Sequence, residues 1–505
     1  MFGYRTAGTS SGALSHPTGA EMSDNPSASL GRAKVTMSGV LAQSVGFMGP
    51  VFSVATLLPL VVGLSATGRG AGIATPVAIV IAGIGIFGAG WVIAQYAKRI
   101  HLCGSLYEYI CDAFGPRAGI VAGWLYYGAM AVLAAATFLV LGGQTEEFLR
   151  GAFGVNIAWW VLALGFLVLV MAAVVVGVQV SVKAQLALVL VSAAVVAIFA
   201  VYVIAKGGQG GTSLSAAPFN PFAIDGLSLL YGVLYSFNMY IGFESAANLA
   251  EETDDPKRHV PRAVLWSLTI VGVYFILTSY SQAVGFGLNA EAWKTSLFPL
   301  QALASGPEFG SAWFGHLVFV IIILDVAAVA IGVCVAATRG LLSMARAGRL
   351  PVALAATHPR FRTPVVAAAL LAAVSVAAIA LVALTDGVFS RETAQPGVLQ
   401  PQWAPMFGWM AGFAGAGLAL MYLTMCVAGA RGLWHDVNRT KLVVAATAGV
   451  LVAGGAVFGV VYKAASPLDT VPWALGAWIA AGVIWALVVT SRRPAPVTED
   501  EPHPV

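Results

Sequence analysis

About twelve apolar stretches, each roughly twenty residues long, follow one another along this chain with short polar connections between them. A stretch of that length crosses the hydrocarbon core of a bilayer as a helix, because a helix satisfies its backbone polar groups internally. Charged residues make up only 10% of the 505 and hydrophobic ones 59%, where an average soluble domain is roughly 25% charged. So few charges cannot solvate a globule of this size, and lipid must cover much of its surface. The expected fold class is an all-α integral membrane protein of about twelve transmembrane helices.

The spans are expected near 38–66, 74–97, 118–141, 157–178, 182–204, 227–250, 263–284, 314–343, 364–384, 406–430, 442–462 and 471–490. The fourth and fifth abut, with a tight turn at 180–183 as their boundary. Residues 104–115 read as an amphipathic extension of the third helix, and 288–310 as a short external helix and loop. With the first residue inside, roughly 20 of the 26 Lys and Arg fall on the cytoplasmic side, Arg339 among them. Both termini are then cytoplasmic. Residues 1–34 read as a disordered cytoplasmic tail, 35–490 as the transmembrane domain and 491–505 as a second cytoplasmic tail. The localisation expected is the cell membrane, crossed many times.

Several functions are disfavoured at once. No soluble segment is long enough for a catalytic domain. No CxxC pair or His/Cys cluster is present, so neither a metal nor another cofactor is expected. The histidines lie almost all in loops or tails, which argues against a membrane-embedded enzyme. No GxxxxGK[ST] loop exists to power a pump, and no basic patch interleaved with aromatics invites nucleic acid.

Chemistry must then sit among the helices. The first span contains Gln43-Ser44-Val45-Gly46-Phe47-Met48-Gly49-Pro50-Val51, where two glycines and a proline weaken a helix at its middle. Amides freed over Ser44, Val45, Gly46, Phe47, Met48 and Gly49 would suit a carboxylate. The sixth span breaks in the same way at Ile241 and Gly242, next to the intramembrane carboxyl of Glu244. A carboxyl at that depth is costly unless it faces a partner or a cavity. Carbonyls around Phe237, Asn238 and Tyr240 would meet a substrate amine. Asp325, in the eighth span, is a second intramembrane carboxyl, suited to a proton, a substrate amine or a structural hydrogen bond. Matching breaks in two spans point to two halves of five helices each, with the breaks meeting at the midplane.

These residues carry a resemblance. Gly242-Phe243-Glu244, followed by Asn248-Leu-Ala-Glu-Glu-Thr-Asp-Asp-Pro-Lys-Arg-His-Val-Pro-Arg-Ala263, resembles the sixth-helix signature of amino acid permeases of the amino acid–polyamine–organocation family. Thr338-Arg-Gly-Leu-Leu-Ser-Met-Ala-Arg-Ala-Gly-Arg-Leu-Pro351 with Arg362-Thr-Pro364 is similar to that family's eighth helix and following loop. Gly104-Ser-Leu-Tyr-Glu-Tyr109, Phe114-Gly-Pro116 and Gly123-Trp124 resemble its third-helix entry.

The resemblance implies a LeuT-like 5+5 inverted repeat with two appended helices. It implies a secondary transporter of amino acids or related amines, with Glu244 as a coupling group; Asp325 has no counterpart in the family motif and is a further coupling candidate only through its depth in the eighth span. Asn238 stands where the family often has a bulky aromatic gate. Sodium-coupled relatives carry hydroxyls near the first and eighth helices, and Cys334-Val-Ala-Ala-Thr338 offers only Thr338. Some relatives carry a lysine inside the fifth helix, which here is aliphatic around Val195. The expected partners are a small amino acid or amine, the lipid bilayer and protons. A channel or a non-transporting amino-acid sensor is the alternative.

Overall fold

A computed structural model describes residues 30, 34–63, 69–296, 298–385, 388–391, 399–462 and 466–491. The two expected tails, 1–34 and 491–505, lie almost entirely outside the described residues.

Eleven helices among the described residues are long and apolar enough to cross a membrane. In chain order they are Met37–Val62, Gly72–Ala97, Pro116–Phe153, Trp159–Val176, Val180–Ala205, Pro256–Gly285, Ala312–Arg346, Val365–Leu384, Ala404–Gly432, Arg439–Val461 and Leu468–Ser491. Between the fifth and Pro256–Gly285 lies a broken pair, the α-helix Gly226–Met239 and the 3-10 helix Phe243–Glu252, each too short to cross alone. Counted as one, the pair is the sixth of twelve spans, in the order the sequence implies. An even number returns the chain to the side from which it entered.

Three boundaries differ from expectation. The helix 106–114 is not an extension of the third span but a separate element, Leu106–Phe114. Gly115, at φ 88°, ends it, and Pro116 starts the next helix where its missing N–H costs nothing. The third span runs on past Leu141 to Phe153, because the Gly142-Gly143 pair is a packing surface and not a stop. A side chain there would collide with the Trp159 carbonyl and the Trp403 ring. The fourth and fifth spans part at Gly177 rather than at 180–183, since only glycine sits easily at φ 145°. The segment expected as an external helix and loop holds two short helices, Ala290–Thr295 and Pro299–Ser305.

Burial sorts the spans. The third and eighth are 78% and 83% buried along their most apolar windows, and the first is 78% buried. The fourth, eleventh and twelfth are 28%, 28% and 17% buried, so most of their apolar surface faces outward to lipid. The first, third, sixth and eighth spans thus form the inner group that shapes the site.

Candidate substrate site at the paired helix breaks

The first span is helical through Met48 and breaks at Gly49, which is left-handed at φ 55°, ψ 75°. Pro50 opens the second half, and residues Ser53–Leu57 widen into a π-helix. The sixth span breaks at Gly242, φ 111°. A Cβ on Gly242 would lie 2.7 Å from the Phe47 ring, so the two breaks touch. Below them the halves are knitted together. Ser44 Oγ donates to the Phe243 carbonyl at 2.7 Å and accepts from the Ala246 N–H at 3.1 Å, and Ser245 Oγ donates to the Gln43 carbonyl at 3.2 Å.

A cavity of about 200 Å³ opens at the breaks. Phe47, Met48, Asn238 and Ile241 line it, with Phe52, Ser53, Thr137 and Val329. It extends along the outer halves of the spans, away from the side where the first span begins, past Phe407, Leu60, Tyr231 and Leu468. Its lining is mostly apolar, and among the described residues no acidic or basic side chain belongs to it. Phe52 and Phe407 meet edge to face across it at 6.3 Å between ring centres.

The other expected site residues surround the cavity without lining it. The amides of Ser44 to Gly49 are not the freed ones, a correction to the sequence reading. The Gly49 N–H, for instance, still donates to the Val45 carbonyl at 3.2 Å. The break frees donors one turn later, because a helix start leaves its first N–H groups unpaired. Those donors are taken. Val51 and Phe52 N–H groups donate to Asp325 Oδ2 at 3.0 and 2.8 Å, and Ser192 Oγ donates to Oδ1 at 2.8 Å.

Gly46 faces a different neighbour, and a Cβ there would lie 2.3 Å from Gln185 Cγ. Phe237 packs on Tyr422, and Tyr240 donates its hydroxyl to the Ile79 carbonyl at 3.3 Å.

Glu244 is fully buried below the break. It accepts from Tyr422 Oη at 2.6 Å, Tyr126 Oη at 3.1 Å and the Gly242 N–H at 3.2 Å. The carboxyl therefore ties the third, sixth and tenth spans together.

Sequence reasoning missed Gln185. It lies between the first and eighth spans, where its Nε2 donates to the Ala328 carbonyl at 3.1 Å and presses against Gly332. A lone amide in an aliphatic span was its only local signal. Phe407 and the glycines Gly412 and Gly415 were missed too. Their repeat along one face of the tenth span could have marked it as a wall of the cavity. Thr338 turns its hydroxyl back to the Cys334 carbonyl of its own helix.

On the side where the first span begins, two ion pairs cross between the sixth and eighth spans. Arg339 does not sit in a cytoplasmic connection as the charge tally had it; it is fully buried within the eighth span and grips Glu252. Arg346 pairs with Glu251 at 2.8 Å. Beside them, burial outweighs the Ser343 hydrogen bond and pushes the Glu108 carboxyl up to about 7.

The chain is similar to known proteins along the same frame. It is 24% identical over 326 residues to a branched-chain amino acid permease of Bacillus subtilis, covering 60% of this chain and 66% of that protein. It is 25% identical over 318 residues to a methylthioribose transporter of the same species, covering 58% and 64%. A cationic amino acid transporter of Arabidopsis thaliana is 29% identical over 188 residues, 37% of this chain and 31% of that one. The chain thus spans a little under two thirds of the first two relatives. A family profile described as amino acid permease matches residues 38–491, nearly the whole length. These are permeases and transporters rather than enzymes, and the chain belongs to the amino acid permeases of the amino acid–polyamine–organocation family.

Proposed function

We propose that this chain is a secondary active transporter that moves amino acids or related amines across the cell membrane by alternating access. The observation that carries the reading is the cavity at the two breaks, open along the outer halves of the spans and sealed on the other side by Arg339 and Glu252. A site reached from one face and closed to the other is what alternating access requires, and a channel would leave both ends connected. The relatives' names differ in cargo, from branched-chain and cationic amino acids to methylthioribose, so family membership alone does not select a substrate.

In this reading Phe47, Met48, Asn238 and Ile241 contact the ligand. Ser44, Val45, Gly46, Gly49, Phe237, Tyr240 and Gly242 set the geometry of the breaks. Residues 35–490 form the transport domain, built as a 5+5 inverted repeat with two appended helices. The excess of Lys and Arg on the side where the first span begins supports a cytoplasmic placement of both termini. Coupling is to protons or to exchange, with Glu244 as the proton-responsive group. Its carboxyl joins three spans and has no basic hydrogen-bond partner among the described residues, so adding or removing a proton changes the bonds that hold them.

The test is counterflow in proteoliposomes loaded with unlabelled amino acids and amines. Saturable, trans-stimulated uptake is expected. Saturable binding without any flux would point to a sensor, and flux that neither saturates nor responds to trans substrate would point to a channel.

A further inference from the structure

One turn of chain joins the inner ends of three spans, inner meaning the side where the first span begins. Residues 103–105 form it, just ahead of the helix Leu106–Phe114. The Cys103 N–H donates to Glu251 Oε1 at 3.0 Å and the Cys103 carbonyl accepts from Asn248 Nδ2 at 3.2 Å, both residues of the sixth span. Cys103 Sγ donates to the Arg339 carbonyl of the eighth span at 3.4 Å, and the Gly104 carbonyl accepts from Tyr127 Oη of the third at 2.7 Å. Ser105 completes the turn at φ 49°, a conformation that side chains rarely adopt, so the turn is held by its partners rather than by its own backbone preference. Glu108 then fastens this junction to the eighth span, where its Oε1 accepts from Ser343 Oγ at 2.8 Å. Gly104 leaves the room for that bond, since a Cβ there would lie 2.6 Å from Oε1 and 2.7 Å from the Ser343 oxygen. Glu108 is only part-buried, so protons reach it from water. Around its carboxyl stand Tyr107, Tyr109, Cys111 and Asp112 on its own helix, Tyr127 on the third span, Glu251 at the end of the sixth, and Ser343 and Arg349 on and after the eighth. Arg431 of the tenth span lies over Phe114, at the far end of the helix.

We propose, on the footing of the transport reading above, that Glu108 is a proton-operated latch of the inner doorway: with its proton it keeps the junction fastened to the eighth span, and on losing the proton it lets the junction go so that the site opens inward. Burial is the main cost of an ionised Glu108 in the fastened junction, and Glu251 beside it adds to that cost. Ser343 and Arg349 offset it only in part, and the carboxyl sits at about 7 instead of an ordinary 4.5. Opening hydrates the carboxyl and returns it towards 4.5, so opening releases a proton. High pH then favours the open doorway and low pH the closed one. For one proton the open-to-closed ratio rises about eightfold from pH 6 to 7.5. With that side cytoplasmic, as proposed above, an acidified cell interior holds the doorway shut, which limits a carrier that brings in protons. The latch is distinct from coupling at Glu244.

Cys103 reports the doorway, because it is fully buried while the junction is fastened and a thiol reagent reaches it only on opening. The full chain in lipid nanodiscs is treated with a maleimide from pH 6 to 7.5, and the labelling rate of Cys103 is read by mass spectrometry of its peptide. That rate is divided by the rate in Glu108→Gln, where the thiol titrates alike but the latch does not. The ratio should rise about eightfold over the range. Ser343→Ala removes a bond that favours the charged carboxyl, so it should move the midpoint of the rise to higher pH. A flat ratio overturns the proposal. If Glu108→Gln does not fold, a midpoint that Ser343→Ala leaves in place overturns it instead. Counterflow on the same protein keeps the two readings apart: a flat ratio with counterflow intact leaves the transport reading standing, and no counterflow at any pH brings down both.

Discussion

Arg339 holds Glu252 through two nitrogens, Nε to Oε2 at 2.6 Å and Nη2 to Oε1 at 3.3 Å, with the two side chains 0% and 3% exposed. A forked pair of this kind is strong only while it is complete, because each charge was removed from water to make it. Arg339→Met should therefore destabilise the protein by about 3–5 kcal/mol, since it leaves Glu252 buried and alone. Adding Glu252→Gln should restore most of that loss. Thermal midpoints of the two single variants and the double variant in detergent check this; additive losses would contradict it.

Glu244→Gln keeps the shape of the side chain but removes its titration. Accumulation driven by an imposed pH gradient, with sodium absent, should be abolished, while exchange of internal for external substrate survives. Proteoliposome uptake for wild type, Glu244→Gln and Asp325→Asn separates the two carboxyls. Loss confined to the Asp325 variant would move the coupling role there, and strict sodium dependence in the wild type would reject the proton reading.

Gly46→Ala should abolish transport through a clash rather than by filling the cavity. The new Cβ would stand 2.3 Å from Gln185 Cγ, closer than packed atoms approach. Gln185→Ala in the same chain removes the obstacle, so the double variant should recover folding and part of the uptake. Measured in membranes by expression and initial rate, a double variant no better than Gly46→Ala would refute this account.

Glu108 carries a pH prediction with a definite sign. Its carboxyl is raised from an ordinary 4.5 to about 7, chiefly by burial, so the folded protein binds the proton more tightly than the unfolded chain. The stabilisation is fully present below about pH 4.5 and is lost as pH rises through about 7. Thermal midpoints should fall over that window and level off above it, and Glu108→Gln should flatten the curve there. An unchanged slope in the variant would assign the pH dependence to other groups.

The spans and the two breaks were legible because their causes are local. An apolar run needs no partner to be recognised as a span, and Gly-Pro at residues 49–50 weakens a helix wherever it lies. The partners were not legible. Tyr126 and Tyr422, which hold Glu244, lie 118 and 178 residues from it in sequence. The amides that Asp325 caps are 274 and 273 residues away. Local pattern shows that a buried carboxyl needs a partner but not which one it meets. Arg339 misled for a related reason: a charge near the end of an apolar run reads as a loop residue unless its counter-charge is known.

The main chain of Val35 runs beside the segment that follows the sixth span, donating to the Glu252 carbonyl at 2.7 Å and accepting from the Asp254 N–H at 3.2 Å. The Ser44 and Ser245 hydroxyls add side-chain bonds to backbone groups nearer the breaks, so the lower halves of the first and sixth spans are joined at both ends. Their hydrogen bonds to the third and eighth spans pass through side chains instead: Gln43 to the Gly332 carbonyl, Asn248 to Tyr127, Glu252 to Arg339. Side chains can swing to new partners, whereas a main-chain stitch must be undone. In the proposed transport cycle the two lower halves would therefore move as one arm, lifted off the third and eighth spans rather than parted along its seam.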